Sequence, residues 1–529
     1  MHTVRAPVAS VLAIGVVCLT LVACAQAPTP AGSAPIPRYP DGKPNFQGVW
    51  QARTTAWADL EDHPARHGLQ AGLSVVKEGT IPYLPAMAER RRANAANRAT
   101  ADPLAKCYMP GVPRIMSMAF PFQIFQTANQ VAMTFEWSQV FRLIPTDGST
   151  PPDGLSFWMG DSRGRWEGDT LVVRVTNHTD GTWFDMAGNF HSDALTVVER
   201  YTMRDADTID YEATMEDPGV FTKPWTIAFP LHRMPGIDRA LEYQCNAEAE
   251  EARGDFERDP RTWYPGPGEA PPRPAGPAAQ PSASAGTADG TILRLPDGTP
   301  DLSGYFQPDG GGANYGLEQH EVDFLTPGGR GVVEDPPDGT LPYLDWARAE
   351  RKARETPERG YDDPTAHCFV AGVPRSMYTP SPLQILQPPG HVVILFERMS
   401  WRNISLTRRQ HLPDHLRLWQ GDSIGRWDGD TLVVETKNLN GKAWLNEVGD
   451  VVSHAEQVVE RFTPRSADLV EYRATVTDPL VYARPWTILI PLRRMPEQLL
   501  EVACHEDNGD LQHLKEVRDA ARAKAGRTR

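Results

Sequence analysis

The sequence predicts a mainly β protein made of two homologous antiparallel β-barrel-like domains, each with one helix. Three observations predict it. One long unit of sequence occurs twice along the chain. Within each copy, apolar residues alternate with polar ones at the period of a half-buried strand. Turn formers are abundant, with 49 Pro and 43 Gly among 529 residues, which suits a turn-rich sheet protein better than a helical bundle. A chain of this length also favours more than one core, since single cores stop growing near roughly 250–300 residues.

The chain opens on an export address. Residues 1–23 carry Arg5 and an apolar run from Val8 to Ala23, shorter than the about 20 residues a membrane span needs. Leu21-Val22-Ala23-Cys24 resembles the lipobox of bacterial lipoproteins. The resemblance implies cleavage before Cys24, diacylglycerol on its sulfur and acylation of its amine. A plain secretory signal followed by Ala25-Gln26-Ala27 is the competing reading. Ala25, rather than Asp, follows the cysteine, which by the sorting rule of such lipoproteins implies the outer membrane. Residues 24–35 then read as a lipidated, flexible tether.

The repeat begins at Arg38–Trp50 (R-Y-P-D-G-K-P-N-F-Q-G-V-W), which returns as Arg294–Phe306 (R-L-P-D-G-T-P-D-L-S-G-Y-F). Cys107–Arg114 returns as Cys368–Arg375, Gly160–Val173 as Gly421–Val434, and Val198-Glu199-Arg200 as Val459-Glu460-Arg461. These matches place domain one at 36–253 and domain two at 293–510. One Ala-, Arg- and Glu-rich helix is expected in each, over Leu84–Asn97 and Leu344–Glu355. Strands are expected at Val131–Trp137, Thr170–Thr176, Leu195–Thr202, Asp210–Met215 and Trp225–Leu231, runs bounded by Gly, Pro and Asp. Trp166–Thr170 is a tight hairpin signal, repeated at Trp427–Thr431. Residues 254–292, rich in Pro and Ala, read as a linker. Residues 511–529 read as a basic C-terminal helix or tail, with Asp510 as its cap and Leu511, Leu514 and Val517 available for docking.

Beyond the leader, four cysteines remain: Cys107, Cys245, Cys368 and Cys504. Each domain has one before its central strands and one at its end, so the repeat predicts Cys107–Cys245 and Cys368–Cys504. Such bridges fit an oxidising compartment. Metal binding competes, but no Cys-x-x-Cys or His cluster accompanies them.

The motif G-R-W-E-G-D-T-L-V-V at Gly164–Val173, with V-E-R at Val198–Arg200 and P-W-T at Pro224–Thr226, recurs in the second half. Both units thereby resemble a large, mainly uncharacterised family of exported bacterial proteins, over nearly the whole mature chain. No activity is implied by that resemblance. The Gly-x-Trp hairpin and the strand spacing are also similar to lipocalin-like (calycin-like) barrels, an analogy of fold that does not specify function.

Lys plus Arg total 53 against 68 Asp plus Glu, a formal net charge of −15. That balance argues against a general nucleic-acid partner, which needs a basic face. Gly160–Gly164 and Gly421–Gly425 match G-x-S-x-G, but a hairpin rather than a helix follows, so Ser162 and Ser423 read as turn residues rather than nucleophiles. Asp161, Glu167 and Asp169 cluster like oxygen ligands without EF-hand spacing and read as turn and hairpin caps. His411 and His415 have helical metal-ligand spacing broken by Pro413. No metal or cofactor is therefore expected.

A further set interrupts apolar strands: Glu136, Arg142, Glu199 and Arg200, with Glu397, Arg402, Glu460 and Arg461 as copies. Unpaired charges there would be costly, so a paired structural network is the plain reading. Functional difference is expected where the copies disagree. His191 faces Val452, His178 faces Leu439, and Glu212 faces Arg473. If domain one is active, His191 with Glu136 or Glu199 is the acid/base candidate, since imidazole titrates near neutrality; otherwise His191 is a surface loop residue. Matching tryptophans (Trp158, Trp166, Trp183 and Trp225; Trp419, Trp427, Trp444 and Trp486) read mostly as core, some as pocket lining.

Three functions are thus expected. The first is a periplasm-facing lipoprotein binding a small, partly apolar or aromatic ligand, anchored to the outer membrane through Cys24. The second is a cofactor-free hydrolase, lyase or isomerase using Glu136, Arg142, His191 and Glu199. The third is a structural or envelope-assembly protein.

Overall fold

A computed structural model of the chain describes residues 35–65, 70–245, 290–322, 327–496, 498–506 and 508–526. The leader, Cys24 and the linker through residue 289 lie outside them. Domain one is a barrel of nine strands. They are β1 (Gly48–Ala52), β2 (Phe122–Gln126), β3 (Gln130–Phe135), β4 (Phe141–Pro145) and β5 (Asp161–Glu167). Next come β6 (Thr170–Thr176), β7 (Thr196–Asp205), β8 (Thr208–Glu216) and β9 (Trp225–Arg233). Their order is β4-β3-β2-β1-β9-β8-β7-β6-β5, a meander in which β1 joins β2 to β9.

Domain two repeats the plan with β10 (Gly304–Pro308), β11 (Val333–Asp335), β12 (Leu383–Leu386), β13 (His391–Phe396) and β14 (Ser400–Ser405). It continues through β15 (Asp422–Asp428), β16 (Thr431–Lys437), β17 (Gln457–Ser466), β18 (Leu469–Thr477) and β19 (Trp486–Met495). β10 pairs with both β12 and β19, and β11 lies on β19 as an extra strand. The sheet is not antiparallel throughout: β14 and β15 are parallel, Ile404 facing Ser423 and Ser405 facing Ile424. The reason is parity. Directions cannot alternate around an odd ring, so one neighbouring pair must run the same way, and a long crossover must join it. In domain one β4 and β5 lie side by side at the same place, joined by residues 146–160.

The hairpins fall where glycine permits them. Glu167 pairs with Thr170 across Gly168-Asp169, with Gly168 at a φ of 59°. The predicted helices form as α1 (Pro85–Ala96) and α2 (Asp345–Arg354), each behind an extended leucine, and α1 is led by Pro85. The C-terminal helix α3 spans Gly509–Gly526. Its cap is Asn508, whose Oδ1 accepts the Leu511 N–H at 3.2 Å, and not Asp510, which sits in the first turn. α3 docks on domain two: Arg518 is 3% exposed and lies 3.9 Å over the Tyr361 ring.

Alternation along the strands fills each interior with large side chains. Trp50, Leu171, Val173, Tyr201, Tyr211 and Trp225 are buried in one barrel; Phe306, Leu432, Val434, Tyr472 and Trp486 in the other. The repeated opening motif has a partner in the repeated hairpin: Arg38 pairs with Asp169, and Arg294 with Asp430. Cys107–Cys245 and Cys368–Cys504 are disulfides, with Cα atoms 5.6 and 5.7 Å apart.

The barrels meet along a seam related by the repeat. Phe125, Ala132, Phe141 and Ala240 pack there on Leu386, Val393, Leu395 and Trp401. Glu501 of domain two accepts the Trp158 and Met159 N–H groups at 2.5 and 3.0 Å. Its copy Glu242 accepts those of Trp419 and Gln420 at 2.5 and 2.9 Å. Burial outweighs these bonds and pushes both carboxyls from 4.5 up to about 7. A carboxyl raised by docking contributes stability that is fully present below its ordinary value and lost as pH rises through the raised one. These two carboxyls are therefore expected to lower the midpoint of thermal unfolding as pH rises from about 4.5 to about 7. Buried Asp185 and Asp478, raised to about 7 and about 6, act in the same sense. A Glu242→Gln/Glu501→Gln chain, followed by calorimetry, should show a shallower fall; an unchanged slope excludes the seam as its source.

Candidate functional site

Arg142 on β4 and Glu199 on β7 face inward and form a buried ion pair, Arg142 Nη1 donating to Glu199 Oε1 at 3.0 Å. The Tyr201 and Tyr211 hydroxyls donate to the same oxygen at 2.9 and 2.8 Å. Arg142 Nε donates to Ser162 Oγ at 2.9 Å. Burial by itself would lower Arg142, but Glu199 beside it raises the guanidinium above its ordinary value. In domain two Arg402 pairs with Glu460 at 2.7 Å and donates to Ser423. There Phe462 replaces Tyr201, and a hydroxyl is supplied instead by Thr436, which donates to Glu460 at 3.1 Å where domain one has Val175. Each buried carboxylate thus keeps two hydroxyl donors. Arg200 and Arg461, one residue along, point outward to Glu167 and Asp428.

The four-residue acid/base set does not assemble. Glu136 accepts the Leu241 N–H at 2.7 Å near the seam, as Glu397 accepts that of Leu500 at 3.2 Å; burial raises Glu136. His191 is a buried residue, 1% exposed, and not part of a surface loop. Its Nδ1 lies 2.8 Å from the Ser192 carbonyl and its Nε2 2.7 Å from Thr182 Oγ1. A carbonyl only accepts, so Nδ1 carries the proton and Nε2 accepts from the threonine, the pattern of a neutral ring. Burial lowers its pKa accordingly. Its ring neighbour is His178, centroids 5.6 Å apart, whose own pKa burial lowers to about 3.

Other singled-out residues are also partnered. Ser162 lies within β5 as the Arg142 acceptor, without the strand-to-helix turn of a nucleophile. Asp161 binds Arg163, Glu167 binds Arg165 and Arg200, and Asp169 binds Arg38, so these acids are ion-pair anchors rather than turn caps. His411 Nδ1 lies 3.0 Å from Asp422 Oδ2. Glu212 pairs with Lys77, whereas Arg473 pairs with Glu334. Trp158, Trp183, Trp225, Trp419, Trp444 and Trp486 are buried, and Trp166 and Trp427 pack on the two cores.

Among the clefts at the seam, two occupy the same place in the two copies; a further one, of about 60 Å³, lies between the disulfides near Tyr108 and Met399. Of the matched two, one holds about 30 Å³ and is lined by Arg239, Trp401, Arg402, Arg408, Gln420 and Asp422. The other holds about 100 Å³. Phe141, Leu143, Met159, Met399, Leu499 and Leu500 give it apolar walls. Asp161, Ser162, Arg163, Gln384, Gln498 and Glu501 give it polar ones. No tryptophan lines it. The first cleft is filled by Arg239, which pairs with Asp422; Gln498 stands at that position of the second. The signal for this site was present as a disagreement between copies, Arg239 against Gln498 and Asn403 against Leu143. A larger depression by His63 and Leu73 borders the undescribed residues 66–69 and adds no site.

No family model and no curated protein matches the chain. Among solved structures, one of a protein with unknown function from the DUF3598 family of Nostoc punctiforme is similar over 71% of this chain and 88% of its own. The identity is 10% and the TM-score 0.17, too low to bear on fold or function.

The buried network has a direct test. Arg142→Met strands the Glu199 charge in an apolar interior and should cost about 3–5 kcal/mol in denaturant unfolding. Arg142→Met combined with Glu199→Leu should cost less, because no charge is then left alone. A double variant at least as unstable as the single one rules out this account of the pair.

Proposed function

We propose that this chain is an exported lipoprotein, held at the outer membrane through Cys24 and facing the periplasm, that binds a small, partly apolar ligand. The ligand site is the seam cleft beside Asp161 rather than a barrel lumen, since both lumens are filled by side chains. The observation that carries this reading is the duplicated cleft, filled by Arg239 in one copy and open in the other. An engineered apolar cavity of about 150 Å³ takes up benzene, so about 100 Å³ suits a somewhat smaller group. Its mix of apolar walls and a few convergent polar groups is that of a small-molecule site. The lipobox-like Leu21–Cys24 and the resemblance to exported proteins support the location, and the two disulfides fit an oxidising compartment.

A structural role in the envelope is the second reading. The filled barrels and the clamped seam favour it.

Mass spectrometry of the natively purified chain should detect a retained small molecule. Leu143→Trp, which fills the cleft, should abolish its retention while leaving the circular dichroism spectrum unchanged. An empty wild-type protein favours the structural reading instead. Cys24→Ser, or globomycin treatment, should release the protein from the membrane fraction; unaltered fractionation removes the lipid anchor.

A further inference from the structure

We propose that the open seam cleft recognises a small organic cation, a primary ammonium or guanidinium on a short apolar stem, through Asp161 and Gln384. This rests on the ligand-binding reading above and names the ligand's chemistry. The filled copy of the site shows what the open copy lacks. Asp422 there receives four hydrogen bonds, from Arg239, Arg408, His411 and the Leu412 N–H. A carboxylate offers about four lone-pair sites, so Asp422 is saturated. Burial would raise its pKa, but His411, Arg408 and Arg239 together hold it at about 2.

Asp161, its copy, accepts only two side-chain hydrogen bonds among the described residues, both from Arg163, at 2.6 and 2.8 Å. Half of its capacity is unspent. Arg239 and Arg408 face Asp422, Glu242 and Asp238 at the filled cleft, and Arg163 faces Asp161 and Glu501 at the open one. In both, the deeper arginine is already paired, with Glu460 or with Glu199.

A second, independent observation is Gln384. It lines the open cleft, is 1% exposed, and its buried Oε1 has no hydrogen-bond partner. Its copy Gln123 has both: Oε1 accepts the Ala240 N–H at 3.3 Å and Asn403 Nδ2 at 3.4 Å. The position of Asn403 is Leu143 in domain one, which has no donor to offer. An orphaned buried acceptor is destabilising, and a ligand N–H satisfies it. Carboxylate, amide oxygen and apolar wall together therefore call for a donor-rich cation and reject an anion. Arg239 in the filled copy is such a group, tethered.

The test uses the full chain and three matched probes, ethylguanidinium, propionate and 1-propanol, followed by calorimetric titration. Ethylguanidinium should bind saturably at one site, and the other two should not. Asp161→Asn should weaken it at least ten-fold and Gln384→Leu several-fold. Gln498→Arg, a change at an exposed position, should abolish binding with the fold intact by circular dichroism. Absent saturable binding of ethylguanidinium, or binding indifferent to Asp161→Asn and Gln498→Arg, overturns the proposal. If propionate or propanol binds instead and Gln498→Arg removes it, the cation is wrong and the seam site stands.

Discussion

A charge taken out of water must find its partners inside the fold, and that constraint organises this molecule at two levels. Within each barrel, one guanidinium and one carboxylate cross the interior and draw hydroxyls around them. Between the barrels, each domain hands a glutamate to two backbone N–H groups of the other. Those N–H groups lie beside Trp158 and Trp419, at the ends of the crossovers that an odd number of strands demands. The parity of the barrel thus creates the unpaired backbone that the seam then satisfies.

Duplication lets one copy serve as the control for the other. The core network survives in both, and where one hydroxyl is lost another appears: Tyr201 is replaced by Phe462, and Thr436 supplies the bond. Such compensation marks a structural requirement. At the seam the copies compensate only in part: Arg163 holds Asp161 where domain two has Ile424. Gln498 and Leu143 stand where Arg239 and Asn403 close the other cleft, leaving Asp161 half-used and Gln384 without a donor. A difference that leaves polar groups unsatisfied points to something that completes them.

Disagreement between the copies was the right signal, but sequence alone could not rank the disagreements. His191 drew attention because imidazole titrates near neutrality; in the fold it is a neutral, fully partnered core residue. Glu136 and Glu199 lie close to each other in composition and pattern, yet one belongs to the seam and the other to the barrel interior. Gln498 and Leu143 are unremarkable residue types. Their meaning arises from what faces them across a gap of more than two hundred residues.

The sequence by itself determined the duplication, the strand-rich architecture, the hairpins, the helices and the pairing of cysteines. These follow from local pattern: alternation, turn residues and the register between two copies. Only the tertiary structure decided the parallel closure, the reciprocal glutamates and the unequal clefts. They depend on which side chains converge after distant strands have packed. Burial and partnership, unlike periodicity, are properties of neighbours in space, and no local stretch of chain encodes them.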